Sequence, residues 1–204
     1  MKLVCGAYMR ILNIVFGIAL SATTLIGQEP QAKPRVAIHT NYGQVVVELE
    51  PAIAPATVEN FLSYVKSGHY SDTIFHRVID EFMIQGGGFI ERMVEKPTNT
   101  PVRNESKADG MKNLRGTIAM ARTDDPNSAT SQFFINLADN PRLDFTSNTA
   151  VGIGYCVFGK VISGMENVDK ISKVRTVWRR GFSDVPEFPV RITKVEILPD
   201  GESE

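Results

Sequence analysis

The sequence predicts a mainly β fold, an antiparallel barrel that is closed or nearly closed and carries a helix over each end. After residue 34 the chain contains many short apolar runs, which are separated by Gly, Pro, Asn and Asp. Only two stretches, near Thr57 and Met165, place apolar residues at helical spacing. With 204 residues, of which 43% are hydrophobic and 22% charged, the chain fits one domain with a substantial core.

The first 27 residues differ in composition from the rest. Lys2 and Arg10 precede an apolar run over residues 11–20, which is followed by small residues and by a polar break at Gln28. This order is typical of a secretory signal peptide. Because residues 11–27 fall short of the about 20 apolar residues of a membrane span, we expect a cleaved signal peptide, with an uncleaved anchor as the alternative. A buried helix is disfavoured, since the basic residues lie only at the start.

Domain boundaries follow from these composition changes. We predict a signal peptide or anchor over residues 1–27, a linker over 28–34, one folded domain over 35–199 and a short tail over 200–204.

The predicted elements begin with a β-hairpin. Residues 35–39 and 44–49 are rich in strand-forming residues and flank an Asn/Gly turn. Pro51 and Pro55 end the second strand, since proline cannot donate to a strand ladder. A helix follows from Thr57, with Gly68 placed to stop it.

A second helix is predicted over residues 165–173. The polar residues 92–113 form a loop long enough to be functional. A phase slip between Ile192 and Val195 indicates a bulge in the last strand. The remaining strands are predicted over residues 74–79, 82–84, 117–121, 132–137, 155–162 and 190–198.

The composition and motifs argue against several classes of function. A net charge of −1 gives no electrostatic footprint for nucleic acid, so no nucleic-acid partner is expected. The three histidines lack a GxSxG motif, which disfavours a serine hydrolase, and no HExxH, CxxC or clustered metal-ligand pattern occurs. We therefore expect no metal and no cofactor. The run Gly86–Gly88 lacks both phosphate-loop patterns and indicates a strand end or a close backbone approach.

Cysteine usage indicates no disulfide. Cleavage near Gly27 would remove Cys5 and leave Cys156 alone, and one cysteine cannot form an internal bridge. Cys156 lies in an apolar run and is expected to be a small buried residue.

The most informative segment is residues 75–87, which reads Phe-His-Arg-Val-Ile-Asp-Glu-Phe-Met-Ile-Gln-Gly-Gly. If Phe82 and Ile84 share one strand face, Met83 and Gln85 share the other. Residues 120–122 and 131–135 repeat the mixture of apolar and amide side chains. A site built from these residues has an apolar pocket, one cation and several amides, but no nucleophile or proton relay.

Residues 75–87 closely resemble the cyclophilin signature FHRxIxxFMxQGG. Three further stretches match the family in the same order, at residues 116–121, 131–135 and 157–161. The resemblance covers residues 35–198. It implies an eight-stranded antiparallel barrel with two capping helices, and peptidyl-prolyl cis-trans isomerase activity. This chain is a short form of the family with Tyr155 before Cys-Val-Phe, and in this respect it is similar to the exported bacterial branch. That similarity implies a periplasmic location.

The resemblance also implies roles for individual residues. Arg77 would be catalytic, because a guanidinium donor aimed at the proline nitrogen binds the twisted imide better than the planar one. The proline pocket would be formed by Phe82, Met83, Phe134 and Leu143. The groove that binds the peptide would be lined by Gln85, Ala121, Arg122, Gln132 and Tyr155.

Three positions depart from the family pattern. Arg142 replaces a tryptophan that is associated with cyclosporin A binding, so weak binding of that drug is expected. Arg122 stands where many members carry Asn, and Tyr155 where many carry His; both changes could alter the preferred residue before proline. The expected partners are proline-containing segments of exported polypeptides, and a monomer is expected.

Some residues in these motifs are expected to be structural, and other functions stay open. Phe75 and Phe133 are interpreted as core, and His76 as a structural histidine. A module that only binds proline-containing segments is one alternative function. A general chaperone that shields apolar loops is another. Acceleration of Xaa-Pro exchange in a short peptide separates the enzyme from both.

Overall fold

The structure is a computed structural model and describes residues 33–199. Eight antiparallel strands form a closed barrel with two helices, which confirms the predicted fold. The barrel strands are β1 Arg35–Thr40, β2 Gly43–Leu49, β3 Thr73–Ile79, β4 Met83–Ile90, β5 Thr117–Met120, β6 Phe133–Asn136, β7 Val157–Ser163 and β10 Val190–Leu198. Around the barrel they follow the order β1, β10, β3, β4, β6, β5, β7, β2.

The predicted signal peptide or anchor, most of the predicted linker and the predicted tail lie outside the described residues. Within residues 33–199, no helix has both the length and the apolar character needed to cross a membrane. The same part of the chain contains no group of three or more His, Cys, Asp or Glu side chains that could hold a metal ion.

The chain enters the barrel through the predicted hairpin of β1 and β2. The two strands pair from Arg35 with Glu48 to Thr40 with Gly43, and Gly43 has a positive φ of 118°. The predicted bulge in β10 is present at Thr193, because His39 pairs with Lys194 whereas Thr40 pairs with Ile192. Apart from this bulge, β1 and β10 pair along the whole length of β1.

The two helices lie close to their predicted positions. Helix α1 spans Pro55–Lys66 and begins two residues earlier than predicted, because Pro55 occupies the first turn, where no backbone N–H partner is needed. Gly68 follows its end with a φ of 70°. Helix α2 spans Met165–Ser172 and buries Val168 and Ile171.

The barrel interior is filled by aromatic rings. Phe61 from α1 contacts Phe133 edge to face at 5.7 Å between centroids, and Phe75 contacts the same ring at 6.0 Å. Both Phe75 and Phe133 are core, as predicted. The triple glycine lies inside β4 and permits a close approach: a Cβ on Gly87 would meet ring carbons of Phe133 and Tyr70 at 2.9 Å.

A second hairpin, formed by β8 (Thr176–Arg179) and β9 (Phe182–Pro186), was not predicted. Its turn residues Arg180 and Gly181 have positive φ angles of 50° and 88°, the pattern of a two-residue hairpin turn. Val185 is buried with Ile74, Phe89 and Met93, and so attaches the hairpin to the outside of β3 and β4. The prediction missed it because its strands are only four and five residues long and do not alternate apolar and polar residues.

Candidate active site

A small cavity lies on the outer face of the barrel. It has a volume of about 100 Å³ and an apolar floor, where Met83, Phe134, Ala119 and Val157 are buried together. Nine of the ten predicted site residues line this cavity, and the tenth, Gln132, lines an adjoining one. The lining residues are Arg77, Phe82, Met83, Gln85, Ala121, Arg122, Phe134, Leu143 and Tyr155.

Strand alternation places the side chains of β4. Ile84 points into the barrel core, whereas Met83 packs in the outer cluster. The expected shared face of Phe82 and Ile84 is wrong, because β4 begins at Met83. Phe82 lies in the preceding turn, outside the alternation, and packs on the same outer cluster as Met83.

Leu143 reaches the cavity from a short 3₁₀ helix, Pro141–Leu143. Its carbonyl oxygen accepts hydrogen bonds from Asn113 Nδ2 at 3.0 Å and from the Tyr155 backbone N–H at 2.8 Å. Asn113 is buried and lies at the end of the long loop 92–113. The loop thus helps to position a wall of the cavity.

Arg77 lies on β3 directly opposite Gln85 of β4. Its side chain is 42% exposed, and its Nε lies 3.9 Å from Asp184 Oδ2 of the β8–β9 hairpin. Within residues 33–199 the guanidinium donates no hydrogen bond, so its donors are available at the edge of an apolar cavity. A pair this exposed contributes only about 0–1 kcal/mol to stability, so Asp184 holds the Arg77 side chain only weakly.

Arg122 is held firmly by the protein. Its guanidinium donates to the carbonyl oxygens of Gly154 at 3.1 Å and Thr123 at 2.8 Å, and it lies 4.7 Å from the centre of the Tyr155 ring. Tyr155 in turn contacts Phe134 edge to face at 5.6 Å. Arg122 therefore supports the aromatic wall of the cavity.

A larger cavity of about 390 Å³ adjoins the first and shares Arg77, Gln85, Ala121 and Arg122 with it. His76 lies in its wall, and its Nδ1 is buried without a hydrogen-bond partner among the described residues. Burial lowers the pKa of His76 to about 4, and the charge of Arg77 contributes in the same direction. The imidazole is therefore neutral at neutral pH, in agreement with a structural role.

Comparisons with known proteins assign the chain to a family. The family model described as cyclophilin type peptidyl-prolyl cis-trans isomerase/CLD matches residues 35–197. The chain is a cyclophilin. It is 55% identical over 163 residues to a peptidyl-prolyl cis-trans isomerase of Streptomyces antibioticus, covering 80% of this chain and 98% of that protein. Peptidyl-prolyl cis-trans isomerase A of Dickeya dadantii is 46% identical over 198 residues, which is 97% of this chain and 98% of that protein.

A solved structure supports the same assignment. A Cryptosporidium parvum cyclophilin type peptidyl-prolyl cis-trans isomerase, crystallised in the presence of the dipeptide Ala-Pro, superposes with a TM-score of 0.69. The two chains are 31% identical, and the match covers 81% of this chain and 99% of that one. This cyclophilin is accordingly an enzyme, a peptidyl-prolyl cis-trans isomerase.

The Cys156 thiol of this cyclophilin is not an activated nucleophile. Burial raises the pKa of the Cys156 thiol, which agrees with its predicted role as a small buried residue. The predicted groove instead contains amides in series: Gln85 Nε2 donates to Gln132 Oε1 at 3.0 Å, and Gln132 Nε2 donates to Glu95 Oε1 at 3.1 Å.

Several lining residues of the larger cavity were missed by the sequence analysis. Glu95 lies in the loop that was predicted to be functional, but nothing in the sequence singled it out. Phe182 and Ser183 come from the unpredicted hairpin, whose Arg-Gly turn was the available signal. The other missed lining residues are Phe89, Thr123, Ser128 and Thr130.

Proposed function

We propose that this isomerase accelerates Xaa-Pro exchange through electrostatic stabilisation by Arg77. The observation that carries the proposal is the position of Arg77, at the edge shared by a proline-sized apolar cavity and a longer groove. A proline ring in the small cavity would place its nitrogen near the guanidinium. In the twisted transition state that nitrogen gains a lone pair, to which the guanidinium donates more strongly than to the planar imide.

One charged donor and an apolar cavity can supply the free energy that this reaction requires. An unaided Xaa-Pro bond exchanges in tens to hundreds of seconds, and a turnover of about 10 per second requires about 4 kcal/mol of stabilisation. One charge-assisted hydrogen bond contributes about 1.5–3 kcal/mol. Exclusion of water by the apolar cavity accounts for the remainder, so no covalent or acid-base step is required.

Exchange measurements on a short Ala-Pro peptide by NMR test this proposal. We expect the Arg77→Ala variant of the residue 28–204 chain to lose about 10- to 100-fold in kcat/KM, the loss of one charge-assisted hydrogen bond. Arg77→Lys keeps the charge but not the planar donors and serves as the matched control, with an intermediate loss. A folded chain that binds the peptide without accelerating exchange would establish the binding module instead. Protection of unfolded chains without exchange would establish the chaperone.

We also propose that the enzyme acts on proline-containing segments of exported proteins in the periplasm. The basic, apolar, small and polar order of residues 1–28 supports this location. Cell fractionation and N-terminal sequencing of the full chain test it. A mature N-terminus near residue 28 is expected for a cleaved signal peptide, and an intact chain in the membrane fraction would indicate the anchor.

Weak inhibition by cyclosporin A is a further part of the proposal. Arg142 is exposed on the 3₁₀ helix beside Leu143, so a charged side chain stands where the resemblance places an aromatic ring. Nanomolar inhibition of the exchange reaction would contradict this expectation.

The enzyme is proposed to act as a monomer. Each of the eight barrel strands pairs with a neighbour on both sides, so the barrel offers no edge to a second copy. Sedimentation equilibrium at micromolar concentration tests this state, and a concentration-dependent mass would contradict it.

A further inference from the structure

Glu95 ends a hydrogen-bonded series that runs along the wall of the larger cavity. Gln85, which also lines the proline-sized cavity, donates to Gln132, and Gln132 donates to Glu95. All three residues line the larger cavity. Glu95 thus lies two hydrogen bonds away from a residue that faces both cavities.

The Glu95 carboxylate determines which side chain donates and which accepts at each hydrogen bond of this series. An amide side chain can both donate and accept, so two glutamines in contact can pair in either sense. An ionised carboxylate only accepts, and Glu95 therefore requires Gln132 to turn its NH₂ group outwards. Gln132 Oε1 then faces Gln85, and Gln85 must donate. Within residues 33–199 the oxygen of Gln85 accepts no hydrogen bond, so it is available to a bound peptide.

The surroundings hold Glu95 and Gln132 in place. Glu95 forms a β-bridge with Phe89, and the next residue, Lys96, donates its backbone N–H to Gly88 O at 2.8 Å. Gly88 itself makes room for the amide, because a Cβ at this position would overlap the Gln132 side chain. The contact between Glu95 and Gln132 is therefore part of a folded turn that continues β4.

We propose that Glu95 is a positioning residue for the isomerase, which fixes the orientation of the Gln85 amide in the peptide groove. Glu95 acts through Gln132 and need not touch the substrate. In this orientation Gln85 presents a carbonyl oxygen that can accept an N–H of the bound peptide. The inference rests on the peptide groove proposed above.

Two substitutions at Glu95 distinguish the hydrogen-bond direction that its carboxylate imposes from the space that its side chain fills. We expect Glu95→Ala to lower kcat/KM for an Ala-Pro peptide about fivefold, which corresponds to ~1 kcal/mol, without a change in the free energy of unfolding. Glu95→Gln keeps the size of the side chain but can donate as well as accept, and should lose a similar factor. Glu91→Ala is the matched control, because Glu91 is exposed near the start of the same loop, pairs with Arg191 and lines neither cavity. It should retain the activity of the parent chain.

A double-mutant cycle tests the route through Gln132. If Glu95 acts only through this residue, Glu95→Ala has no effect in a Gln132→Ala chain. Additive losses would overturn the proposal, as would a Glu95→Ala variant as active as the parent.

The side-chain amide resonances of Gln85 and Gln132 provide a readout that does not depend on activity. We expect both to shift in Glu95→Ala and neither to shift in Glu91→Ala. Unchanged resonances in Glu95→Ala would also overturn the proposal. The Arg77→Ala variant is measured alongside: if it is as active as the parent, the proposed mechanism fails, while the resonances still decide the role of Glu95.

Discussion

His76 is a buried histidine in direct contact with an aromatic ring. Its imidazole lies 4.6 Å from the centre of the Phe89 ring, and burial together with the charge of Arg77 lowers its pKa from 6.5 to about 4. The side chain lines the larger cavity, but it makes no hydrogen bond among the described residues. Its role is therefore to fill space as a neutral ring.

Acid pH should destabilise the fold through His76. The unfolded chain binds a proton at this histidine near pH 6.5, whereas the folded chain does so only near pH 4. The free energy of unfolding is therefore unaffected by this group above about pH 6.5, and it falls by up to about 3 kcal/mol as the pH drops to 4. Urea unfolding at pH 7.5 and 4.5 measures this loss.

The matched variant for that measurement is His76→Phe, which keeps a ring beside Phe89 but cannot bind a proton. Burial and Lys96 also lower the pKa of His69, and this contribution is common to both chains and cancels. The variant should lose about 2–3 kcal/mol less than the parent between the two pH values. An identical pH dependence would contradict the assignment.

At the scale of elements, helix α1 is capped from a distant part of the chain. Ala54 at its N-cap provides no side-chain acceptor. Instead, the carboxylate of Glu105 in the long loop accepts the backbone N–H of Thr57 at 2.7 Å and that of Ala56 at 3.2 Å. A negative charge at this end also complements the helix dipole.

Removal of this cap should loosen both the helix and the loop. We expect Glu105→Ala to lower the free energy of unfolding by about 1–2 kcal/mol, the usual loss for an N-cap. Amide hydrogen exchange at Ala56 and Thr57 should become faster in the same variant. Asp109→Ala removes the same charge from an exposed site in that loop and should change neither quantity. Equal effects of the two substitutions would show that net charge, and not capping, is responsible.

Elements with a local signal could be predicted from the sequence, and those that depend on distant contacts could not. The β1–β2 hairpin and the bulge at Thr193 follow from turn residues and alternation in the chain itself. The β8–β9 hairpin packs on β3 and β4 through Val185, which is buried with Ile74 and Phe89, and through Phe182, whose ring centre lies 5.3 Å from that of Phe89. Its two short strands do not alternate apolar and polar residues, so no local pattern marks them.

The same distinction applies to the site. Arg77 and Phe134 could be assigned from motif positions, and the structure brings them to one cavity. Glu95 and Asp184 reach the site from a loop and from the second hairpin. Their partners are set by the tertiary fold, and no spacing within the sequence specifies them.

The whole molecule is organised by closure of the barrel. Strand β10 lies between β1 and β3, so the last strand completes a cylinder that the first strand begins. Arg35 pairs with Leu198, which places the two ends of the barrel sequence side by side. Neighbouring antiparallel strands can be joined by a short turn. The site residues all come from the middle of the chain, away from this junction.

A circular permutant should therefore fold and remain active. We expect a chain that joins residue 199 to residue 33 through a short Gly/Ser linker, with new ends between Ala108 and Asp109, to keep kcat/KM within about threefold of a linear residue 33–199 chain. Removal of residues 190–199 is the contrasting change. It would leave the edges of β1 and β3 unpaired, and we expect it to abolish cooperative urea unfolding. A permutant without cooperative unfolding would show that the order of the strands along the chain, and not closure of the barrel, determines the fold.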